Sequence, residues 1–254
     1  MGDGMSGKSM SGKRRILLTG AAGRIASNVY AHARDHYWFR LADRSRDNLA
    51  RLTGENHEVV ALDIADLDAC QAACAGIDTV VHLAADPSPQ ADFYGSLLDN
   101  NIKGTYNIFR AARDQGCRRV VYASSLHAVA GYPPDVQARA DAPVRPIKLY
   151  GVSKCFGEAV ASYFADAEGL STIAVRIGAY DFDPRHEIPD ERALGAYVSP
   201  RDLNELLIRC IETPDIQFAI VYGLSNNRFK RADLTDTRQL LGYEPRDDAF
   251  ELFG

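Results

Sequence analysis

The chain has 254 residues, 46% of them hydrophobic and 25% charged, with a net charge of −5. That is ordinary globular composition, long enough for a sizeable core without covalent staples. The acidic balance, with its charges interspersed, removes the basic face that nucleic-acid binding would need. No run approaches the ~20 apolar residues of a membrane span, and the N-terminus lacks the apolar segment of a secretory signal. No membrane contact is therefore expected, and the expected location is the cytoplasm. The five cysteines are Cys70, Cys74, Cys117, Cys155 and Cys210. Their odd number and the absence of CxxC spacing argue against a disulfide framework and against a zinc site. No metal is expected, and reduced thiols fit a reducing compartment.

Residues 1–14 read as a flexible tail. Within it Gly2-Asp3-Gly4-Met5-Ser6-Gly7-Lys8-Ser9 matches the GxxxxGKS phosphate loop, and Met1-Gly2 with Ser6 matches an N-myristoylation pattern. A phosphate loop works only when a strand delivers it and a helix receives it. Nothing of that kind precedes these residues, and both matches are set aside.

From Arg15 the pattern is regular. Ile16–Thr19 is a short apolar run suited to a buried strand, followed by a Gly-rich turn and a helix from about Ile25 to Asp35. Trp38–Asp43, Glu58–Leu62 and Thr79–Leu83 read as the next three strands, each followed by room for a helix. A long helix is expected over Leu97–Gln115, then a strand at Val120–Ala123, a helix over Tyr150–Glu168 and a strand at Thr172–Arg176. Alternating strands and helices of this kind predict a doubly wound α/β fold, a parallel sheet covered on both faces. After Ile177 the rhythm changes. Asp181–Gly195 is polar and Pro-containing and reads as a loop, followed by a helix over Pro200–Glu212, a strand at Phe218–Tyr222 and a terminal helix. Residues 15–178 are thus expected to form a nucleotide-binding core. Residues 179–254, too short for a domain of their own, are read as a small substrate-binding lid on it.

Two ends of a site are visible. At one, Gly20-Ala21-Ala22-Gly23-Arg24-Ile25-Ala26 lies between the first strand and first helix, where glycines permit a tight turn and helix N–H groups face a pyrophosphate. Asp43 closes the second strand, where a carboxylate accepts hydrogen bonds from an adenosine ribose and repels a 2′-phosphate. This favours NAD, although Arg44 beside it is the residue that would accommodate NADP. Asp63 either reaches the adenine edge or caps the following helix. At the other end, Tyr150 and Lys154 are four residues apart and share one helix face. An ammonium beside a phenol, together with a positive nicotinamide, is expected to lower the tyrosine pKa so that it takes a proton from a substrate hydroxyl. A serine at the end of the fifth strand, Ser124 or Ser125, would hydrogen-bond the reacting oxygen.

These residues resemble the extended short-chain dehydrogenase/reductase family, which includes the NAD-dependent nucleotide-sugar epimerases and dehydratases. The likeness runs from Arg15 to Gly178 through the TGxxGxxA turn (Thr19 to Ala26), His82-Leu83-Ala84-Ala85, Asn101-Ile102-Lys103-Gly104-Thr105 and Tyr150 with Lys154. The resemblance implies a Rossmann fold and a catalytic Ser125, Tyr150 and Lys154, with Ser125 preferred to Ser124 by its distance from Gly131. It implies NAD held by Gly20, Gly23, Arg24, Ile25, Asp43, Asp63, Ile64, Leu83, Ala84, Ala85, Asn101, Tyr150, Lys154 and Ile177. Asn101 is expected to steady the active helix or a water behind Lys154. It also implies a homo-oligomer, a dimer or higher, built on the helices near 97–115 and 150–168, although their apolar faces equally serve the sheet.

More closely, Tyr150–Glu158, Ser124-Ser125-Leu126-His127 and Leu241–Pro245 are similar to uronate dehydrogenases. Leu83–Pro89 and Val221–Ser225 are similar to haloarchaeal NAD-dependent glucose-6-phosphate dehydrogenases. Both groups oxidise the anomeric carbon of a free sugar. By that resemblance Ser88, Ser125, Leu126, His127, Tyr150, Ala179 and Arg192 face the sugar, with Arg192 on its anionic end. Leu126 stands where uronate dehydrogenases carry Asn, and Ala179 where they carry Ser. The loop before Arg192 is longer and carries Arg185 and His186. The expected substrate class therefore includes phosphorylated and sulfonated hexoses besides uronates. Two contrasting readings are a nucleotide-sugar epimerase or dehydratase, which would need a larger C-terminal domain, and a non-catalytic NAD-binding regulator, which would not need both Tyr150 and Lys154.

Overall fold

In the computed structural model, strand β1 (Arg15–Thr19) lies inside a seven-stranded sheet, third from one edge, and every pairing in that sheet is parallel. The structure describes residues 12–50, 56–180 and 191–253. The phosphate-loop and myristoylation look-alikes, and Arg185 and His186, lie outside the described residues. The other strands are β2 (Trp38–Asp43), β3 (His57–Ala61), β4 (Thr79–His82), β5 (Arg119–Ser125), β6 (Ser171–Ile177) and, late in the chain, β9 (Phe218–Gly223). Their order across the sheet is β3-β2-β1-β4-β5-β6-β9.

Side-chain alternation explains why these runs are apolar throughout. Ile16, Leu18, Val81, Val121, Ile173 and Val175 point to one face, and Leu17, Val80, Val120 and Ala174 to the other; both faces are buried. Helices α1 (Arg24–Ala33) and α6 (Pro200–Glu212) cover the first face through Val29, Tyr30, Leu203, Leu206 and Leu207. Helices α2 (Leu67–Cys74), α3 (Gly104–Asp114) and α4 (Leu149–Asp166) cover the second through Cys70, Ile108, Phe109, Ala161 and Phe164. The winding reverses between β1 and β4, and that crevice, at the carboxyl ends of the strands, is where a doubly wound sheet binds ligands.

Three expectations change in detail. The helix expected over Leu97–Gln115 begins at Phe93, capped by the Asp92 side chain, and is π-helical to Lys103 before α3 takes over. The loop expected over Asp181–Gly195 gives way at Glu191 to a short helix, α5 (Glu191–Ala196); Glu, Arg, Ala and Leu are good helix formers, and Leu194 anchors it. Past β9 there are two short helices, α7 (Thr235–Leu241) and α8 (Ala249–Leu252), instead of one. A two-residue pair, β7 (Ala179–Tyr180) with β8 (Tyr197–Val198), brings α5 to the carboxyl edge of the sheet. Among the described residues no helix is long and apolar enough to cross a membrane.

Candidate active site

The crevice between β1 and β4 is closed at its base by Thr19. Its buried hydroxyl accepts the backbone N–H groups of Leu83 and Ala84, each at 3.2 Å, and lies 2.8 Å from His82 Nδ1. Burial pushes His82 down to about 3, so its ring is neutral. With its lone pairs engaged, the Thr19 hydroxyl donates to Nδ1.

Above this floor the backbone leaves room for a ligand. Gly20 has φ +66°, and a Cβ there would lie 2.9 Å from the Ala84 backbone. A side chain would therefore be strained and would fill the crevice. Gly23 caps α1 and donates its N–H to Gly20 O at 2.9 Å, but no side chain caps the helix. A helix N-terminus with no side-chain cap suits an anion. Arg24 and Ile25 line the same cleft, with the Arg24 guanidinium over the Tyr180 ring, 5.6 Å from its centroid. At the end of β2 the Asp43 carboxylate accepts Ala22 N–H at 3.1 Å and Asn48 Nδ2 at 3.3 Å. Asp43 borders a recess with Gly20, Arg44, Ile64, Ala84 and Ala85. Asp63 is exposed and folds back on Ala65 N–H at 2.9 Å; the cap of α2 is Asp66, which accepts from Ala69 N–H at 3.1 Å. Of the two readings of Asp63, the helix cap is thus excluded.

The catalytic end lies on α4 and at the end of β5. Tyr150 and Lys154 are both buried, and the Lys154 Nζ sits 5.6 Å from the centroid of the Tyr150 ring while donating to Ala123 O at 2.8 Å. Period-two alternation separates the two serines. Ser124 turns away and donates to Glu158 Oε1 at 2.6 Å, whereas Ser125 borders the cleft together with Tyr150 and Lys154. Ser125 also accepts His127 N–H at 3.2 Å, which turns the chain into a single 3₁₀ turn over Leu126–Val129. The expected lowering of the tyrosine pKa by Lys154 is not what dominates. Burial raises the Tyr150 phenol, the Ser125 hydrogen bond opposes it and the Asp86 charge adds to it. Burial also pulls Lys154 down to about 8, because desolvation penalises both charged forms.

A cleft of about 650 Å³ joins the two ends, bordered among others by Gly20, Gly23, Ala84, Tyr150, Lys154 and Ile177. Leu83 and Ala85 also line it. Beyond Ser125 it meets a smaller pocket of about 280 Å³, whose lining includes Leu126, His127, Ala179, Arg192 and Arg231. The His127 ring stands edge-on to Tyr150, centroids 5.4 Å apart, and its pKa is lowered by burial and then by the charges of Lys148 and Arg192.

Two expected residues lie apart from these cavities. Asn101 is buried behind α4: its Nδ2 donates to Asp86 O and Ser153 Oγ, and its Oδ1 accepts Asp86 N–H. Ser153 Oγ donates in turn to Tyr150 O at 2.7 Å, so Asn101 steadies the active helix and makes no bond to Lys154. Ser88 borders neither cavity and is used in a turn, accepting Gln90 N–H and bonding Asp86 through its own N–H. One pocket residue, Arg231, had no signal in the sequence, because it stands in no motif and far along the chain from Ser125.

The described features have counterparts. The model of the NAD dependent epimerase/dehydratase family matches residues 16–182. The chain is 38% identical to an NAD-dependent glucose-6-phosphate dehydrogenase of Haloferax volcanii, over 93% of this chain and 94% of that one. It is 37% identical to an L-arabinose 1-dehydrogenase (NAD(P)(+)) of the same organism, over 92% and 97%. Among solved structures, a uronate dehydrogenase from Agrobacterium tumefaciens complexed with NAD aligns over 94% of this chain and 87% of that one, with a TM-score of 0.85 and 35% identity.

Proposed function

Since the chain belongs to the NAD-dependent epimerase/dehydratase family, we propose that it is an NAD-dependent sugar 1-dehydrogenase acting on a free, anionic aldose. The relatives that support this are named as dehydrogenases of glucose 6-phosphate, L-arabinose and uronates. The observation that carries it is the meeting of Ser125, Tyr150 and Lys154 beside a pocket with Arg192 and, among the described residues, no carboxylate in its lining.

The residues suit NAD: a cradle at Gly20 that a Cβ would fill, an uncapped α1 N-terminus for the pyrophosphate, and Asp43 for the adenosine ribose. Ile64, Ala84 and Ala85 would wall the adenine recess. Leu83, Ile177, Tyr150 and Lys154 would border the nicotinamide end. NAD supplies the acceptor for the hydride that leaves C1. Ser125 holds the C1 hydroxyl, and Tyr150, as phenolate, takes its proton through the phenol oxygen. With NAD bound as hydride acceptor, loss of that proton and of the C1 hydride would leave the lactone. Lys154 keeps the α4 face beside Ala123 and places positive charge near the phenol, and His127 packs the Tyr150 ring. Arg192 holds the anionic end of the sugar through its planar fork.

Residues 15–178 thereby hold the cofactor and residues 179–254 shape the substrate end. The 280 Å³ pocket has the size of one sugar ring with its charged group. NADH formation with a panel of free sugars and NAD tests the proposal; turnover restricted to nucleotide sugars would refute it.

A further inference from the structure

The substrate pocket has two guanidiniums and one fork would serve a carboxylate. Arg192 on α5 and Arg231, after β9, border the same cavity with Ser125 and His127, and among the described residues no Asp or Glu lines it. Among the described residues neither arginine forms an ion pair. Arg192 Nη2 donates to Ala130 O at 3.1 Å, while Arg231 donates to Pro133 O at 3.1 Å and Tyr132 O at 3.2 Å. Carbonyls orient the two groups, and among the described residues no carboxylate bonds either of them. Arg231 is only 9% exposed, and burying a cation beside a like charge is costly unless an anion arrives. The field of this pair is felt locally: burial and then Arg192 lower the Arg231 pKa, with Asp135 opposing, and Arg192 also lowers that of His127.

The spacing between the two is built in. Arg231 N–H bonds Gly195 O at 3.0 Å. A Cβ on Gly195 would lie 2.6 Å from Phe229 O and 3.4 Å from Arg231 Cγ. The glycine thus lets the Arg231 segment pack directly on α5, three residues beyond Arg192.

We propose that Arg231 is a specificity-determining residue which, with Arg192, clamps a tetrahedral oxyanion, a phosphoryl or sulfonyl group on the sugar carbon distal to C1, in preference to a planar carboxylate. This rests on the sugar-dehydrogenase reading above. A carboxylate presents two oxygens in one plane and is satisfied by a single fork. A tetrahedral oxyanion presents three, which two forks on separate elements can share. Leu126 and Ala179 leave the remainder of the wall apolar, so the charged end carries the discrimination.

The test compares kcat/KM with NAD for glucose 6-phosphate, 6-deoxy-6-sulfo-glucose, glucuronate and glucose, in the wild type and in Arg231→Met, which keeps the apolar stem. The wild type is expected to prefer a phosphoryl or sulfonyl sugar over glucuronate by at least about tenfold, and the two arms tell which oxyanion it takes. Arg231→Met should lose about 10- to 100-fold on that sugar, mostly through KM, the scale of a charged hydrogen bond. Its loss on glucuronate should stay within about threefold. Preference for glucuronate, or an equal loss on all four sugars, overturns the proposal. Inorganic phosphate and sulfate supply a readout without turnover: either should raise the melting temperature of the wild type and not of Arg231→Met. If no sugar is oxidised, the dehydrogenase reading fails. The clamp is then supported by that anion effect or overturned by its absence.

Discussion

Beneath the active helix lies a buried ion pair whose removal should be felt in both stability and turnover. Glu158 on α4 and Arg176 on β6 are 4% and 1% exposed and meet through two bonds, Nε to Oε1 at 2.8 Å and Nη2 to Oε2 at 2.9 Å. Ser124 donates to Glu158 Oε1, and Arg176 Nη1 donates to the Tyr222 hydroxyl at 2.9 Å. Burial works against the Arg176 charge, but the hydrogen bond and charge of Glu158 outweigh it, and its pKa lies above the ordinary value. In Glu158→Gln the shape is kept and the countercharge is lost, which leaves a buried guanidinium uncompensated. Breaking a buried pair in this way costs about 3–5 kcal/mol, which for a chain of this size lowers Tm by about 6–20 °C. Guanidinium chloride unfolding measures the free energy. Turnover should fall with it, because Glu158 is one helical turn from Lys154 and two from Tyr150. The double variant Glu158→Leu/Arg176→Met, with no charge to strand, should be more stable than Arg176→Met alone. A loss below about 1 kcal/mol in Glu158→Gln, or a double variant no better than Arg176→Met, would refute the reasoning.

Other consequences are equally direct. Lys154 has its pKa pulled down from 10.5 to about 8 by burial, so between those values the unfolded chain holds the extra proton and stability rises with pH. Below pH 8 its buried charge costs about 3 kcal/mol, and Lys154→Met, after losing the Ala123 hydrogen bond, should be about 2 kcal/mol more stable than the wild type at pH 7. That advantage should vanish toward pH 10.5 in denaturant titrations, while turnover is lost at every pH. Gly20→Ala, forced to keep φ +66° with a Cβ against Ala84, should destabilise by about 1–2 kcal/mol and weaken NAD binding measured by fluorescence quenching. Asp43→Ala should raise KM for NAD about 10- to 100-fold and narrow the gap to NADP, since Arg44 remains beside the site. Raised by burial, the Tyr150 phenol predicts a kcat/KM that climbs with pH across the neutral range.

The order of strands and the Tyr150–Lys154 face were legible because both are periodic: buried parallel strands are continuously apolar, and residues four apart share a helix face. Ser125 could be separated from Ser124 only by resemblance, yet strand alternation is the physical reason Ser124 is spent on Glu158 while Ser125 borders both cavities. Asp63 was ambiguous in sequence since Asp66, three residues on, is equally suited to cap α2, and it does. The helix at Glu191 was hidden by the Pro-containing stretch before it. Ser88 was placed by its neighbours in a motif, whereas its hydroxyl is spent on a turn. Arg231 could not be found at all: its approach to Arg192 depends on a glycine and on backbone pairing between segments that sequence spacing does not relate. Burial, which sequence does not display, opposes the charges of both Tyr150 and Lys154.

The most direct test of the account follows the hydrogen on C1. Glucuronate, galacturonate, glucose 6-phosphate and 6-deoxy-6-sulfo-glucose, each deuterated at C1, would be incubated with NAD and the wild type or Tyr150→Phe. The account predicts that with at least one of them the label passes to the reduced nicotinamide and the sugar leaves as its lactone, with Tyr150→Phe slowed by about 100-fold or more while still binding NAD. Label retained in the sugar with all four, or transfer undiminished in Tyr150→Phe, would contradict it.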